Sequence, residues 1–362
     1  MRPTPTLDER LIAELVERVT RADDDAAARA AYRVGFARLR SQLQLYPVPS
    51  GRPSAVFESA AATARLLGGN CLPLGIAVAM HLYPLCALQC VPLPLLSVAR
   101  FQRAMLLRTI RSRSLILANA GSERTRLKPG ATTAETRLKP GDTPQDSVIA
   151  RLDATGIRLD GTFEYMSLAS VADLVFFKAP LVDTGDTVLC AADLRADSVR
   201  IGSWRFPGTM RLSDTSSVTF TEHQVTHGRY LTVSSDEALH CTSDYQRCWF
   251  HLFLAEVYLA RLHRLHDMRG LRWTAEQVVS LNEVSQLREY ALRLLDEFST
   301  GSDVQPLKKA TSAVKLRVSM MAQATMAALS GSSLSGSDAK ELGYIKVQPT
   351  ADEIILRSIG AA

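Results

Sequence analysis

The stretch SVIARLDATGIRLDGTFEYMSLASVADLVFFKAPLVDTGDTVLCAADLRADSVRIGSWRFPGTMRLSDTSSVTFTEHQV, residues 147–225, decides the fold. It is rich in Val, Thr, Ile and Phe, and its apolar residues alternate in short runs such as SVIARLD, GIRLDGTFEYMSL and ADLVFFKAPL. Alternation with period two marks half-buried strands. Turn residues separate the runs at intervals of roughly 8–12 residues, the pattern of a small antiparallel sandwich or barrel. The strand signal continues to about residue 233.

On either side the period changes to that of a helix. Toward the N-terminus, residues 7–45 carry Leu11, Ile12, Leu15 and Val16 at helical spacing, and Asp23–Asp25 divide them into two helices, the acidic run suiting a helix start. Tyr46–Ser54, with two prolines and a glycine, reads as a loop, and further helices are predicted over 55–67, 74–90 and 95–113. No charged residue lies between Arg65 and Arg100, a run long enough to cross a bilayer. Pro73, Pro84, Pro92 and Pro94, together with Asn70, His81 and Gln89, instead break it into buried helices of a globular core, with His81 a satisfied core residue. Between the helical block and the strands, TRLKPG occurs at 125–130 and again at 136–141. A locally duplicated surface loop with two Pro-Gly turns is the preferred reading, and a functional basic loop the sharper one. From Ala238 the helical signal returns, through YQRCWFHLFLAEVYLARLHRLH, then 274–298 and 304–330. The fold class is thus α+β: an all-α region over 1–120, an antiparallel β region over 121–235, and a four-helix-type α region over 236–362.

Bulk properties exclude several classes. The 42 basic and 37 acidic residues leave a net charge of +5 spread along the chain, without the basic block of a nucleic-acid tail. Six scattered cysteines form no CxxC pair, so reduced buried thiols are expected, and no metal-ligand spacing occurs. The opening MRPTPTLDERL lacks the apolar stretch of a signal peptide, which with the reduced cysteines sets the expectation of a cytoplasmic protein.

The order helices, strands, helices resembles the acyl-CoA dehydrogenase superfamily, and four local matches lie in the right sequence. AGSE at 120–123 is similar to the family's flavin-edge motif and would place Ser122 and Glu123 there. Tyr165, Met166 and Ser167, followed by Ala172-Asp173, resemble its aromatic-x-Thr strand. GTMRLSDTSSVTFTEHQV at 208–225 is similar to its Gly…Ser-x-Thr segment, and Asp338-Ala339-Lys340 resembles the lead-in to its last helix. The resemblance implies FAD as cofactor, an acyl or polyketide-type thioester or related intermediate as substrate (free or carrier-bound), and a homodimer or homotetramer.

Two departures shape the functional reading. The family's catalytic Glu falls on Gln348, which has no titratable carboxylate; Glu341, Asp352 and Glu353 are the displaced alternatives. The family's clamp on the flavin diphosphate is replaced by HRLHDMRGLRWTAEQ, where Arg269 and Arg272 still offer charge. The candidate catalytic residues are therefore Gln348, Glu123, Asp214 and His223, and the candidate cofactor ligands Ser122, Tyr165, Ser167, Arg269 and Arg272. His223 with His227, and His263 with His266, are suited to acid–base work near neutrality or are polar surface residues. Three functions remain open: a flavin-dependent oxidoreductase or oxygenase, a flavin-free cyclase, isomerase or dehydratase, and a non-catalytic partner subunit.

Overall fold

Two aspartates start the chain's first helices. The computed structural model describes residues 8–22, 24–92, 98–120, 148–206, 208–233 and 236–329. Asp8 caps α1 (Glu9–Arg21) by accepting from Arg10 N at 3.0 Å, and Asp24 caps α2 (Asp25–Arg40) by accepting from Ala27 N at 2.7 Å. Three more helices follow: α3 (Pro53–Asn70), which opens on proline at its first turn, α4 (Leu72–Cys90) and α5 (Val98–Ser112).

α4 explains the uncharged run. It is long and apolar enough to cross a membrane, yet Leu72 to Ala87 are all buried, between α3, the long helix α6 (Asp236–Arg269) and the sheet. Contrary to the expectation from proline density, Pro84 sits inside this helix without ending it. Packing on several sides outweighs the one backbone bond a proline removes. His81 is the satisfied core residue expected: its Nε2 donates to Leu45 O at 2.9 Å, and its Nδ1 accepts from Leu117 N at 2.9 Å. Small residues let the helices close up. A Cβ on Gly75 would stand 2.5 Å from Gly68 Cα, and one on Gly68 would stand 2.9 Å from Val257 Cα, so α3, α4 and α6 meet almost backbone to backbone.

The sheet has strands β1 (Leu117–Ala120), β2 (Val148–Asp153), β3 (Gly156–Ser167), β4 (Leu174–Pro180), β5 (Thr187–Asp193), β6 (Val199–Trp204), β7 (Ser216–Thr226) and β8 (Tyr230–Val233). Their order is β6-β7-β3-β1-β4-β5-β8, with β2 beside the first half of β3. Two details correct the sequence reading. The sheet begins at β1, inside the region assigned to the helical block, because LANA is too short to show alternation. β1 also runs parallel to β4, so the sheet is mixed rather than wholly antiparallel. That pairing joins strands far apart in sequence, which local patterns do not report.

The C-terminal region contributes α6, α7 (Ala275–Glu297) and α8 (Gln305–Leu329) among the described residues. α7 opens with a capping box in which Thr274 and Gln277 satisfy each other's backbone N–H. Ion pairs tie these helices to the N-terminal ones. Glu256 on α6 meets Arg65 of α3 at 2.8 Å and Arg288 of α7, which also meets Glu58 of α3. Of the cysteines, Cys71, Cys86, Cys190 and Cys248 are buried and free, and Cys90 is free and half-buried.

Candidate active site

Three neighbouring strands put polar side chains in one row. Asn119 of β1 stands opposite Ser167 of β3, and directly opposed residues share a face. Ser167 Oγ lies 3.1 Å from Thr215 Oγ1, just before β7. On the other side of β1, Asn119 is in register with Phe176 of β4, and Lys178 follows two residues on, on the same face. Tyr165, two residues before Ser167, is exposed, with its ring centroid 6.1 Å from that of Phe206. The alternate residues, Ala118, Met166, Val175 and Phe177, point the other way and are buried. The sheet therefore has one apolar face and one polar strip.

Helices close over the strip. Tyr83 of α4 is hydrogen-bonded to the Asn119 side chain, and its ring meets Phe250 of α6 edge-on at 5.3 Å. Burial pushes the Tyr83 phenol upward, with the Asn119 bond acting the other way. At the far end, Lys178 Nζ is 3.4 Å from Ser243 Oγ on α6. The polar strip thus runs from Ser167 past Asn119, which Tyr83 covers, to Lys178 of β4 beside the start of α6.

The predicted residues fare differently. Ser167 lies on this strip, and Tyr165, two residues before it, is exposed. Ser122, Glu123 and Gln348 lie outside the described residues, as does AGSE beyond Ala120.

Asp214 is not placed as a proton carrier. It is completely buried; Oδ2 accepts from Ser170 N and Ser170 Oγ, both at 2.7 Å, and Oδ1 accepts from Trp204 Nε1 at 2.9 Å. The guanidiniums of Arg29 and Arg211 stand over the Trp204 ring, 5.4 and 5.5 Å from its centroid, while Arg33 Nε donates to Ser170 O. Asp214 is thus the knot that fastens α2 to the sheet. Burial raises its carboxyl above the usual range, against the pull of those hydrogen bonds and of Arg29.

The histidines split within each pair. His223 is only 2% exposed, with Nδ1 2.8 Å from Ser198 Oγ and its ring on Phe220. Glu222, with a φ of 49°, bends β7 so that His223 turns into the core, away from the polar strip. His266 is also buried, stacked on Trp273 at 3.6 Å, whereas His227 and His263 are exposed. Burial lowers both His223 and His266 below the ordinary imidazole value.

Arg269 and Arg272 lie at and just beyond the C-terminal end of α6. Arg269 ends α6, 22 residues beyond Arg247, and a helix rises 1.5 Å per residue, so about 33 Å separates them along the axis.

Sequence reasoning missed Asn119, Tyr83 and a group of cations beyond Lys178. Arg247 and His251 on α6, and Lys308, Ser312 and Lys315 on α8, follow helical spacing on facing sides of two helices. The i, i+4 and i, i+7 pattern was the available signal; which helices face each other was not.

No family model matches the chain, and no curated protein does. Solved structures do. KijD3, solved in complex with dTDP, superposes with a TM-score of 0.69 at 14% identity, covering 99% of this chain and 98% of that one. A second KijD3 structure, at 15% identity and the same TM-score of 0.69, holds FMN and dTDP-3-amino-2,3,6-trideoxy-4-keto-3-methyl-D-glucose, and covers 100% of this chain and 95% of that one. Dibenzothiophene monooxygenase (TdsC) from Paenibacillus sp. A11-2 matches with a TM-score of 0.63 and 15% identity, over 93% of this chain and 88% of that one. PigA in its FAD complex gives 0.62 and 15%, over 99% and 94%. At such identity the likeness is one of fold, and that fold is acyl-CoA dehydrogenase-like over almost the whole chain.

Proposed function

We propose that the chain is a flavin-dependent oxidoreductase, of oxygenase rather than dehydrogenase type, acting on a small molecule in the cleft between the sheet and α6. The observation that carries this reading is the polar strip Asn119–Ser167–Thr215 beside the exposed Tyr165 ring. An isoalloxazine edge presents a row of ring nitrogens and carbonyl oxygens, and hydroxyl and amide groups spaced along neighbouring strands suit it. The residues present fit the group at that edge. Ser167 and Asn119 would bond it, and Tyr165 would flank it. Bound there, a flavin would supply electron transfer to oxygen or to the substrate.

The chain's own residues shape what that chemistry can be. The resemblance puts Gln348 at the position of the family's carboxylate base, with Glu341, Asp352 and Glu353 as displaced alternatives, and Asp214 is fastened into the scaffold. Abstraction of an α-proton by a carboxylate therefore has little support, which favours oxygenation. Tyr83 and Asn119 bring hydrogen-bonding groups to the centre of the cleft, and α4 walls off water behind them. Solved neighbours of this fold hold FMN or FAD, and either flavin is open to this reading. The substrates implied by the resemblance, an acyl or polyketide-type thioester or a related intermediate, belong to this proposal, as do a homodimeric or homotetrameric assembly and a cytoplasmic location.

Freshly purified protein tests the reading directly. Bound flavin would colour it yellow, and added FMN would raise its melting temperature. Ser167→Ala should weaken flavin binding about tenfold, the worth of one hydrogen bond. Colourless protein that no flavin stabilises would sink the redox reading and leave a flavin-free step on the same fold.

A further inference from the structure

A second hollow lies away from the polar strip. It is an open groove of about 530 Å³ between residues 41–49, in the segment joining α2 to α3, and Arg111 in the last turn of α5. That volume falls within the roughly 300–1,000 Å³ of small-molecule sites. No residue of the strip lines it. The segment is firmly anchored: Gln44 O accepts from Thr63 Oγ1 of α3 at 3.1 Å, and Tyr46 Oη donates to Leu115 O at 3.1 Å.

Hydrogen bonds hold a guanidinium at the wall of this groove. Arg111 Nη2 donates to Pro47 O at 3.3 Å, and Pro47 itself lines the groove. Nη2 also donates to the side-chain oxygen of Gln89 on α4. Both acceptors are neutral, and no carboxylate lines the groove. The other donors of Arg111 are idle. Its Nε is buried with no acceptor among the described residues, as is Nε2 of Gln89, and its Nη1 has none there either. Buried polar groups are normally satisfied, and a guanidinium bonds most strongly to an oxyanion. Beyond Arg111 much of the lining is apolar, including Leu43, Pro49 and Val48, which is 43% exposed.

One fixed positive charge beside apolar surface suits a singly charged anion with an apolar body. We propose that the groove binds a small organic carboxylate, its charge on Arg111 and its apolar part against Val48 and Pro49. A phosphate dianion would meet only one cation and leave the apolar wall uncovered. The inference does not rest on a flavin being bound.

Titration calorimetry on the full chain tests it with three probes: benzoate, benzamide, which keeps the ring without the charge, and inorganic phosphate. Benzoate should bind saturably at one site, at least about tenfold more tightly than the other two. Arg111→Gln should weaken it at least about tenfold. Because Arg111 also fastens α5 to α4 and to Pro47, that variant can lose stability, and Val48→Glu is therefore the second. The exposed Val48 tolerates replacement, and a carboxylate there should repel benzoate, weakening it by a similar factor. Absence of saturable benzoate binding would overturn the proposal and leave water on the idle donors. Benzoate binding that ignores Val48→Glu would overturn it too, by placing the acid elsewhere. So would benzamide or phosphate binding as tightly as benzoate.

Discussion

Helix α6 carries two charged clusters, and they are built on opposite rules. Near its middle, Glu256 joins Arg65, Arg288 and Glu58, two charges of each sign that lock α3, α6 and α7 together. Near its start, Arg247 and Lys178 stand close to the Lys308–Asp244 pair. The first arrangement is complete within the chain, as a load-sharing joint must be. The second, as far as its named residues go, sets three basic side chains against the one carboxylate of Asp244. Both clusters look alike in a list of charged residues; their balance tells them apart.

Breaking the balanced cluster should cost most. Glu256→Gln leaves Arg65 and Arg288 facing a neutral amide, and removing one partner of a buried ion pair typically costs about 3–5 kcal/mol. Arg65 and Arg288 retain 38% and 21% side-chain exposure, so the lower end, about 3 kcal/mol, is expected in the urea midpoint.

Acid probes a third kind of buried polar group, one bonded to neutral partners. Burial lowers His81 to about 4 from an ordinary value of 6.5, opposed by its Leu45 and Leu117 bonds. The folded state keeps the ring neutral while the unfolded chain protonates it. The stabilisation is therefore full above about pH 6.5 and falls as pH drops toward 4. The whole decline amounts to about 3 kcal/mol. Denaturation midpoints measured across that window should show it, and His81→Gln should flatten the slope.

Asp214→Asn tests whether a buried carboxylate belongs to scaffold or chemistry. An amide keeps one acceptor for the three donors of Ser170 and Trp204, so about 1–2 kcal/mol should be lost. Part of that is offset because burying the charge is itself unfavourable. Flavin affinity and turnover should stay within about twofold of wild type at a temperature where both proteins are folded. A large loss of turnover without loss of stability would return Asp214 to the reaction.

Much of the fold was legible because it depends on local period. The helical regions, the run of strands and His81 as a core residue all follow from patterns within twenty residues. The parallel pairing of β1 with β4 and the polar strip do not, since Asn119, Ser167 and Thr215 come from segments tens of residues apart. Tyr165 and Ser167 were singled out through motif order; Ser167 stands opposite Asn119 in the sheet, and Tyr165 is exposed. Asp214 and His223 carry the right chemistry in the wrong surroundings: a positive φ at Asp214 and a bend at Glu222 turn them into the core. Residue type announces what a side chain can do; register and burial decide whether it is asked to.

The smallest effect is the most discriminating. Were the cation cluster a joint, removing Lys178 or Arg247 would weaken the fold as removing Glu256 does. If it carries no load, the loss of one of its charges should leave stability within about 0.5 kcal/mol of wild type, or raise it slightly. The melting temperatures of Lys178→Gln and Arg247→Gln separate the two cases. Salt sharpens the contrast. Screening relieves repulsion between exposed cations, so the unsubstituted protein should gain more stability from added sodium chloride than either variant. A protein that melts lower without Lys178, at every salt concentration, would make the cluster part of the architecture.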